Sequence, residues 1–190
     1  MADPFLFTFA IAALLLTPGP SNTLMALSGA QAGLRRTVPL IPVELIAYLI
    51  VVAPLAIWGR ESLAGWPLLA QAIRIGAALW IFRLALKLWR IPDSGSAQTG
   101  VTTQRLFVTT LLNPKALIVG LLLLPSGADP AFPLHMLLFA ASVAMVALLW
   151  AGLGASMGAA TGPRAPWLRR IAASWLALLS GGLLLGAIAH

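Results

Sequence analysis

The feature that most limits the fold of this chain is a series of six long apolar segments separated by shorter polar connections. They cover approximately residues 4–26, 38–59, 67–89, 105–126, 133–158 and 167–189. A helix needs about 20 mostly apolar residues to cross the hydrocarbon core of a bilayer, and each segment is long enough. With 60% hydrophobic residues, 9% charged residues and a mean hydropathy of +0.95, the chain is unlike a soluble domain. The sequence predicts an all-α integral membrane protein with six transmembrane helices, forming one domain over residues 1–190.

The first apolar segment differs from a secretory signal peptide at its N-terminal end. The chain begins Met1-Ala2-Asp3-Pro4, with an acidic residue where a signal peptide carries basic residues. The apolar segment is also longer than the core of a signal peptide. We therefore expect it to be a retained transmembrane helix.

Basic residues cluster in alternate connections, and this pattern predicts the orientation of the chain. The first, third and fifth connections carry eight basic residues, and the second and fourth carry one. The eight are Arg35, Arg36, Lys87, Arg90, Arg105, Arg164, Arg169 and Arg170, against Arg60. Because cytoplasmic loops carry the excess of Lys and Arg, the odd connections are expected in the cytoplasm and both termini outside. The bilayer accounts for these charges, and no nucleic-acid partner is expected.

A polar connection divides the chain into two halves with three apolar segments each. Residues 92–100 form the longest polar stretch, so the halves cover about 1–95 and 96–190. Because three is odd, the second half must cross the membrane in the opposite direction to the first. Inverted repeats of this kind recur in secondary transporters, which place the substrate between the halves and build its site from interrupted helices. The sequence thus predicts two inverted three-helix repeats.

Proline interrupts the first helix of each half at corresponding positions. The first segment contains Thr17-Pro18-Gly19-Pro20-Ser21-Asn22, and the fourth contains Asn113-Pro114-Lys115. Each proline lacks a backbone donor and clashes with the preceding turn, so a continuous helix is not expected. The freed backbone groups cannot face lipid and must face protein or water. The interruptions are either structural kinks, as we expect for the single Pro54, or parts of a binding site.

Lys115 is the most informative single residue. From Arg105, ten helical residues rise about 15 Å, which brings Lys115 close to the middle of the bilayer. An ammonium there is costly by about 2.5 kcal/mol or more, so it should face the helix bundle. Its partner is either a substrate or the carbonyl groups freed by the helix break.

Two further charges, Glu44 in the second segment and Arg83 in the third, lie at equal depth in the predicted antiparallel hairpin. Charges in lipid are almost always paired, so an intramembrane Glu44–Arg83 ion pair is predicted. Such a pair either fixes helix packing or lets Glu44 carry a proton or bind a substrate amine.

Other classes of function find little support in the sequence. Gly154-Ala155-Ser156-Met157-Gly158 matches the pattern around serine nucleophiles, but His135 lies about 30 Å away along the same predicted helix. Small residues four apart more often let helices pack closely. The chain has no cysteine, two histidines and five acidic residues, and it has no nucleotide-binding motif. We expect no enzyme, no metal site and no cofactor.

The order of the spans and the placement of the motifs resemble the LysE/RhtB family of amino-acid exporters. The resemblance rests on Thr17–Asn22, on Gly33-Leu34-Arg35-Arg36 and on Leu111-Leu112-Asn113-Pro114-Lys115-Ala116, and it extends over essentially the whole chain. It implies proton-coupled or similarly driven export of amino acids or their derivatives across the bacterial cytoplasmic (inner) membrane. The family's motif positions then fall on Pro18, Gly19, Pro20, Asn22, Asn113, Pro114 and Lys115.

The alternative is a membrane scaffold or sensor that transports nothing. Such a protein has no need of Lys115 beside a proline break, which argues against it. The expected partners of an exporter are a small-molecule substrate and the lipid bilayer. Alanine-rich and glycine-rich helix faces would also permit a homodimer.

Overall fold

The computed structural model describes residues 4–59, 67–90, 100–161 and, between 170 and 182, all residues except 172 and 179. Over these ranges the regular structure is entirely helical, as predicted. Several charges used to predict orientation lie outside the described residues. They are Arg60, Arg164 and Arg169.

The helices follow the predicted apolar segments closely. They are α1 (Pro4–Leu16), α2 (Pro20–Ala32), α3 (Leu34–Gly59), α4 (Pro67–Trp89), α5 (Thr103–Leu111), α6 (Pro114–Ile118) and α7 (Phe132–Thr161). The part of the last segment that is described, within 170–182, is also helical. Between α2 and α3, Gly33 has a φ of 80°, which a residue with a side chain rarely adopts.

Two helices, α3 and α7, are long and apolar enough to cross a membrane. The pair α1 and α2 counts as a third span if the bent pair is taken as one. Helices of this composition are suited to a membrane interior. The six-span arrangement and its inverted repeat stay predictions, because the described residues establish only these two or three candidate spans.

The predicted interruptions of the first and fourth segments are confirmed. Helices α1 and α2 meet at an angle of 64° across residues 17–19. Helix α5 ends at Leu111, and α6 begins at Pro114 after two residues that are not helical. In both places a proline occupies the first position of the second helix, where its missing N–H costs nothing.

Pro54 does not break its helix. Helix α3 continues past it as a π-helical turn over Leu55–Gly59. A second π-helical turn, Val119–Leu123, extends α6, and the two turns pack together. Gly120 allows this approach, since a Cβ there would lie 2.7 Å from the Cβ of Leu55. A wider turn therefore follows Pro54, and the kink expected there stays a prediction.

Small residues let α2 and α7 cross with their backbones in contact. A methyl group on Gly154 would overlap the carbonyl of Ala26, and one on Gly158 would overlap that of Ala30. From the other side, a methyl group on Gly29 would overlap the carbonyl of Ala151. The small-residue packing predicted for the Gly154–Gly158 motif is thus confirmed. It joins a helix of the first half directly to a helix of the second.

The apolar core consists of two clusters. The Leu24 cluster contains Leu24, Met25, Leu27, Leu40, Ile81, Leu84, Ala85, Leu106, Ala147, Ala151, Ala173 and Leu176. The Phe7 cluster contains Phe7, Ile11, Leu15, Tyr48, Val52, Ala56, Ala116, Val119, Leu124, Phe139, Val143 and Val146. Along α1–α2 the Phe7 cluster comes first, whereas along α3 and along α5–α6 the Leu24 cluster comes first. The buried polar residues Ser21, Asn22, Glu44, Asn113 and Lys115 lie between the two clusters along these helices, whereas Ser28 and Thr37 lie beyond the Leu24 cluster and bond to each other at 2.9 Å.

Candidate functional site

A set of buried polar side chains lies where the two apolar clusters approach each other, and one of them, Tyr48, also belongs to the Phe7 cluster. We call this set the polar layer, and it consists of Ser21, Asn22, Glu44, Tyr48, Asn113 and Lys115. Helix α2 supplies the first two residues, α3 the next two, and the break before α6 together with α6 itself the last two. All six side chains are at most 7% exposed. Both proline breaks therefore meet at the same level of the molecule.

The carbonyls freed by the first break are bound by side chains. The Thr17 hydroxyl donates to the Leu14 carbonyl at 2.6 Å and so replaces the N–H that Pro18 lacks. The Asn22 amide donates to the carbonyls of Leu15 and Thr17 at 2.7 and 3.0 Å. These bonds meet the requirement that buried or lipid-facing backbone groups find a partner.

Lys115 binds the same two carbonyls from the other half of the chain. Its ammonium Nζ lies 3.0 Å from the Leu15 oxygen and also donates to the Thr17 oxygen. Gly19 makes room for it, because a Cβ at that position would lie 3.1 Å from both Cε and Nζ. Of the two partners expected for Lys115, the structure has the helix-break carbonyls.

Asn113 joins three helices through its side chain. Its Oδ1 accepts from the Lys115 backbone N–H at 3.1 Å, which makes Asn113 the N-cap of α6. Its Nδ2 donates to the Tyr48 hydroxyl at 2.9 Å and to the Ser21 hydroxyl at 3.2 Å. A single amide thus links the break before α6 to α2 and α3.

Glu44 supplies the carboxyl of the polar layer. It is 2% exposed, and the groups that interact with it include the Ser21 side chain as a hydrogen-bond partner and the Lys115 charge. Its Oε2 atom is buried and has no hydrogen-bond partner. The layer therefore contains one acidic and one basic group, held close to each other by α3 and α6.

The predicted Glu44–Arg83 ion pair is wrong. Within the described part of the chain, Glu44 faces Ser21 and Lys115, while Arg83 is exposed. Helix α4 buries Ala78, Ile81, Leu84 and Ala85, and Arg83 lies on its other face. Equal depth in a hairpin brings two residues to one level, but it does not decide which way each points around its helix.

The structure brings together most of the residues singled out in the sequence. Gly19, Asn22, Asn113 and Lys115 are in contact or share bonding partners. Pro20 is buried and Pro114 half-buried, each opening a helix. Thr17 and Pro18 are exposed, so the first break extends from the surface of the molecule into the polar layer.

Tyr48 is the member of the layer that the sequence analysis missed. It is the only tyrosine of the chain, and it follows Glu44 by four positions in an otherwise apolar segment. Residues four apart share one face of a helix. Two isolated polar residues with that spacing could have identified the face of α3 that points into the bundle.

The serine motif of α7 has a structural explanation. The Ser156 hydroxyl donates to the Leu153 carbonyl of its own helix at 2.8 Å. His135 lies near the other end of α7, about 30 Å away, where its ring packs edge-on against Phe7 at 4.5 Å. Since a base must lie within about 3 Å of a nucleophile, these two residues cannot act together.

The polar layer brings donors and acceptors of hydrogen bonds together in the interior of the molecule. Its ammonium, amide and hydroxyl groups can donate hydrogen bonds, and its carboxyl can accept one. Across the described ranges, His, Asp and Glu do not form a group of three that could hold a metal ion. Comparison of the chain with protein-family models, curated proteins and solved structures gave no significant match.

Proposed function

We propose that this protein is a secondary transporter that exports amino acids or their derivatives from the bacterial cytoplasm, driven by protons or a similar ion gradient. The observation that carries the proposal is the meeting of two proline-broken helices, one from each half, in a polar layer between two apolar clusters. The resemblance of the two break motifs to those of LysE/RhtB exporters supports it further.

A polar layer of this kind lowers the stability of a membrane protein, so its presence points to a function. A buried charge within the membrane is expensive, and Lys115 and Glu44 place two charged side chains in one layer. Non-helical backbone is tolerated at that depth where it is covered by protein or lines a water-filled path. Transporters use broken helices at the middle of the membrane to bind their substrates.

The arrangement of donors suits the polar end of an amino acid. The Lys115 ammonium donates to two carbonyls in this structure, and its third N–H can bind a carboxylate. The first break leads inwards from the exposed Thr17 and Pro18 to the buried Gly19 and Asn22. We propose that Pro18, Gly19, Pro20, Asn22, Asn113, Pro114 and Lys115 form the substrate path.

The apolar clusters on the two sides of the layer would alternately block the passage of substrate, one towards the cytoplasm and the other towards the outside. Alternating access then consists of movements of the two halves that open the layer first to the cytoplasm and then to the outside. The protein would lie in the inner membrane with both termini outside, as the basic connections predict. It would be a transporter without enzymatic activity.

An export assay in cells tests the proposal. Bacteria that lack their own amino-acid exporters are loaded with dipeptides, and every amino acid that appears outside is measured by mass spectrometry. We expect one or a few amino acids to leave faster with the wild type, and Lys115→Ala to abolish the effect. Arg83→Gln is the matched control, because it removes an exposed charge from a spanning helix outside the polar layer.

The alternative of a scaffold or sensor makes a different prediction. If wild type, Lys115→Ala and empty vector give the same external amino acids, and both proteins are present in the membrane, amino-acid export is excluded. A non-transporting membrane protein would then be the better interpretation of the fold.

A further inference from the structure

Glu44 and Asp129 are the two acidic residues in the described part of the chain, and they differ in burial. The chain has five acidic residues, and Asp3, Glu61 and Asp93 lie outside the described residues. Asp129 is exposed, and its Oδ1 accepts a hydrogen bond from the Ala131 N–H at 2.8 Å. Glu44 is buried in the polar layer with one oxygen, Oε2, that has no partner.

The surroundings of Glu44 favour neither charge state alone. An ionised carboxylate with an unpartnered oxygen is poorly accommodated in an apolar interior, which favours the neutral acid. The Lys115 charge acts in the opposite direction and favours the carboxylate. The Lys115 ammonium donates to the Leu15 and Thr17 carbonyls. Within the described chain it forms no direct ion pair with the Glu44 carboxyl.

The other groups around Glu44 do not supply a second charge. Tyr48 on the same helix and Lys115 on α6 are the titratable groups that interact with it, and Ser21 on α2 contributes a neutral hydroxyl. No described residue of α1, α4, α5 or α7 contributes a charge that interacts with Glu44. A divalent cation needs several oxygen ligands, so a single carboxyl is poorly suited to one. A proton needs only the lone pair of Oε2 and no cavity.

We infer that Glu44 is the proton-binding residue of the transporter, accepting a proton at Oε2 from water on one side of the membrane and releasing it to water on the other. This inference rests on the proposed function and names its coupling ion. Binding forms an O–H bond and leaves a neutral acid, and release restores the carboxylate. No other bond is made or broken.

The hydrogen bonds of the polar layer connect this proton to the proposed substrate residues. Ser21 is a partner of the Glu44 carboxyl and also accepts from the Asn113 amide. Asn113 caps α6, whose second residue is Lys115. A change of charge at Glu44 would therefore alter the hydrogen bonds at the break before α6 and the position of the Lys115 ammonium, which binds the carbonyls of the first break.

Infrared spectroscopy of the purified full-length protein in lipid nanodiscs tests proton binding without any substrate. The carbonyl stretch of a protonated carboxyl in an apolar site is resolved from that of carboxylates. We expect this band to appear and disappear as the pH is changed from mildly acidic to mildly alkaline. It should be lost completely in Glu44→Gln, retained in Glu44→Asp and unchanged in the control Asp129→Asn.

Two results would overturn the inference. A Glu44 band that is present at every pH would identify a permanently neutral structural acid. The absence of any band that depends on Glu44 would identify a permanently ionised group. Glu44→Asp is the control for misfolding, because it keeps the carboxyl and shortens the side chain by only one methylene.

A transport assay separates this inference from the proposed function. Proteoliposomes are loaded with a mixture of the standard amino acids, and exchange for isotopically labelled amino acids is compared with efflux driven by a pH gradient. For Glu44→Gln we expect acceleration by the gradient to be lost, and for the control Asp129→Asn we expect it to be kept. Acceleration that persists in Glu44→Gln would overturn the coupling role. If the wild type moves no amino acid, the proposed function fails, and the infrared titration still decides whether Glu44 binds a proton.

Discussion

The ammonium of Lys115 lies 3.0 Å from the main-chain oxygen of Leu15, so a residue of the second half closes the helix break of the first. The Asn22 amide donates to the same oxygen at 2.7 Å. The Leu15 carbonyl, freed from its helix by the prolines that follow, thus receives two side-chain donors from different helices. The two breaks therefore form one structural unit.

The close crossing of α2 and α7 predicts different effects of two neighbouring glycines. Gly154→Ala should lower stability by about 1–3 kcal/mol, because its methyl group would overlap the Ala26 carbonyl. Gly152→Ala is the matched control, since a Cβ there meets no atom within 4 Å. Thermal unfolding in detergent measures both variants. Equal melting temperatures for the two would contradict the backbone contact between these helices.

The hydrogen bonds of Asn113 predict a ranking of two substitutions. Asn113→Ala removes the cap of α6 and the donors to Tyr48 and Ser21, so it should cost at least about 2 kcal/mol. Tyr48→Phe removes one hydroxyl and leaves Asn113 bonded to Ser21, so about 1 kcal/mol is expected. The same unfolding measurement ranks them. A larger loss for Tyr48→Phe would show that Asn113 is not the centre of the network.

The exposure of Arg83 predicts that its charge can be removed without harm. Arg83→Gln should change stability by no more than about 0.5 kcal/mol and leave export intact. A buried ion pair with Glu44 would give the opposite result, since stranding one partner costs about 3–5 kcal/mol. A fall of that size in the free energy of unfolding of Arg83→Gln would support a Glu44–Arg83 ion pair and contradict the arrangement around Glu44.

The absence of cysteine from the chain makes its orientation easy to measure. Arg36→Cys and Asp129→Cys each introduce one thiol at an exposed position, in connections predicted to lie on opposite sides of the membrane. A membrane-impermeant maleimide should label Asp129→Cys in intact cells. It should label Arg36→Cys only after the membrane is permeabilised. The reverse pattern would show that the chain is inserted the other way round.

The helices and their breaks could be predicted from the sequence because both depend on local chemistry. Helix α4 covers Pro67–Trp89, the same residues as the predicted apolar segment. The breaks at Pro18 and Pro114 follow from the missing N–H of proline, which acts within one turn. The position of Lys115 on an inward face followed from the cost of an ammonium in lipid.

The partners of the charged residues could not be predicted in the same way. Which residues face inwards on α4 is set by packing, and an apolar helix in a membrane lacks the polar side that would reveal its rotation. Arg83 was therefore placed at the correct position along its helix but on the wrong face. Likewise, the bonds from Asn113 to Tyr48 and Ser21 join residues 65 and 92 positions apart, which only the fold brings together.

The joined breaks are proposed to form the path of an exported amino acid, and transport by the purified protein tests this claim most directly. Liposomes containing the protein are filled with a mixture of the standard amino acids, and mass spectrometry follows their release in the presence of a pH gradient. We predict release of one or a few amino acids by the wild type and by Arg83→Gln, and none by Lys115→Met. Release by Lys115→Met at the rate of the wild type, or no release by the wild type, would contradict the claim.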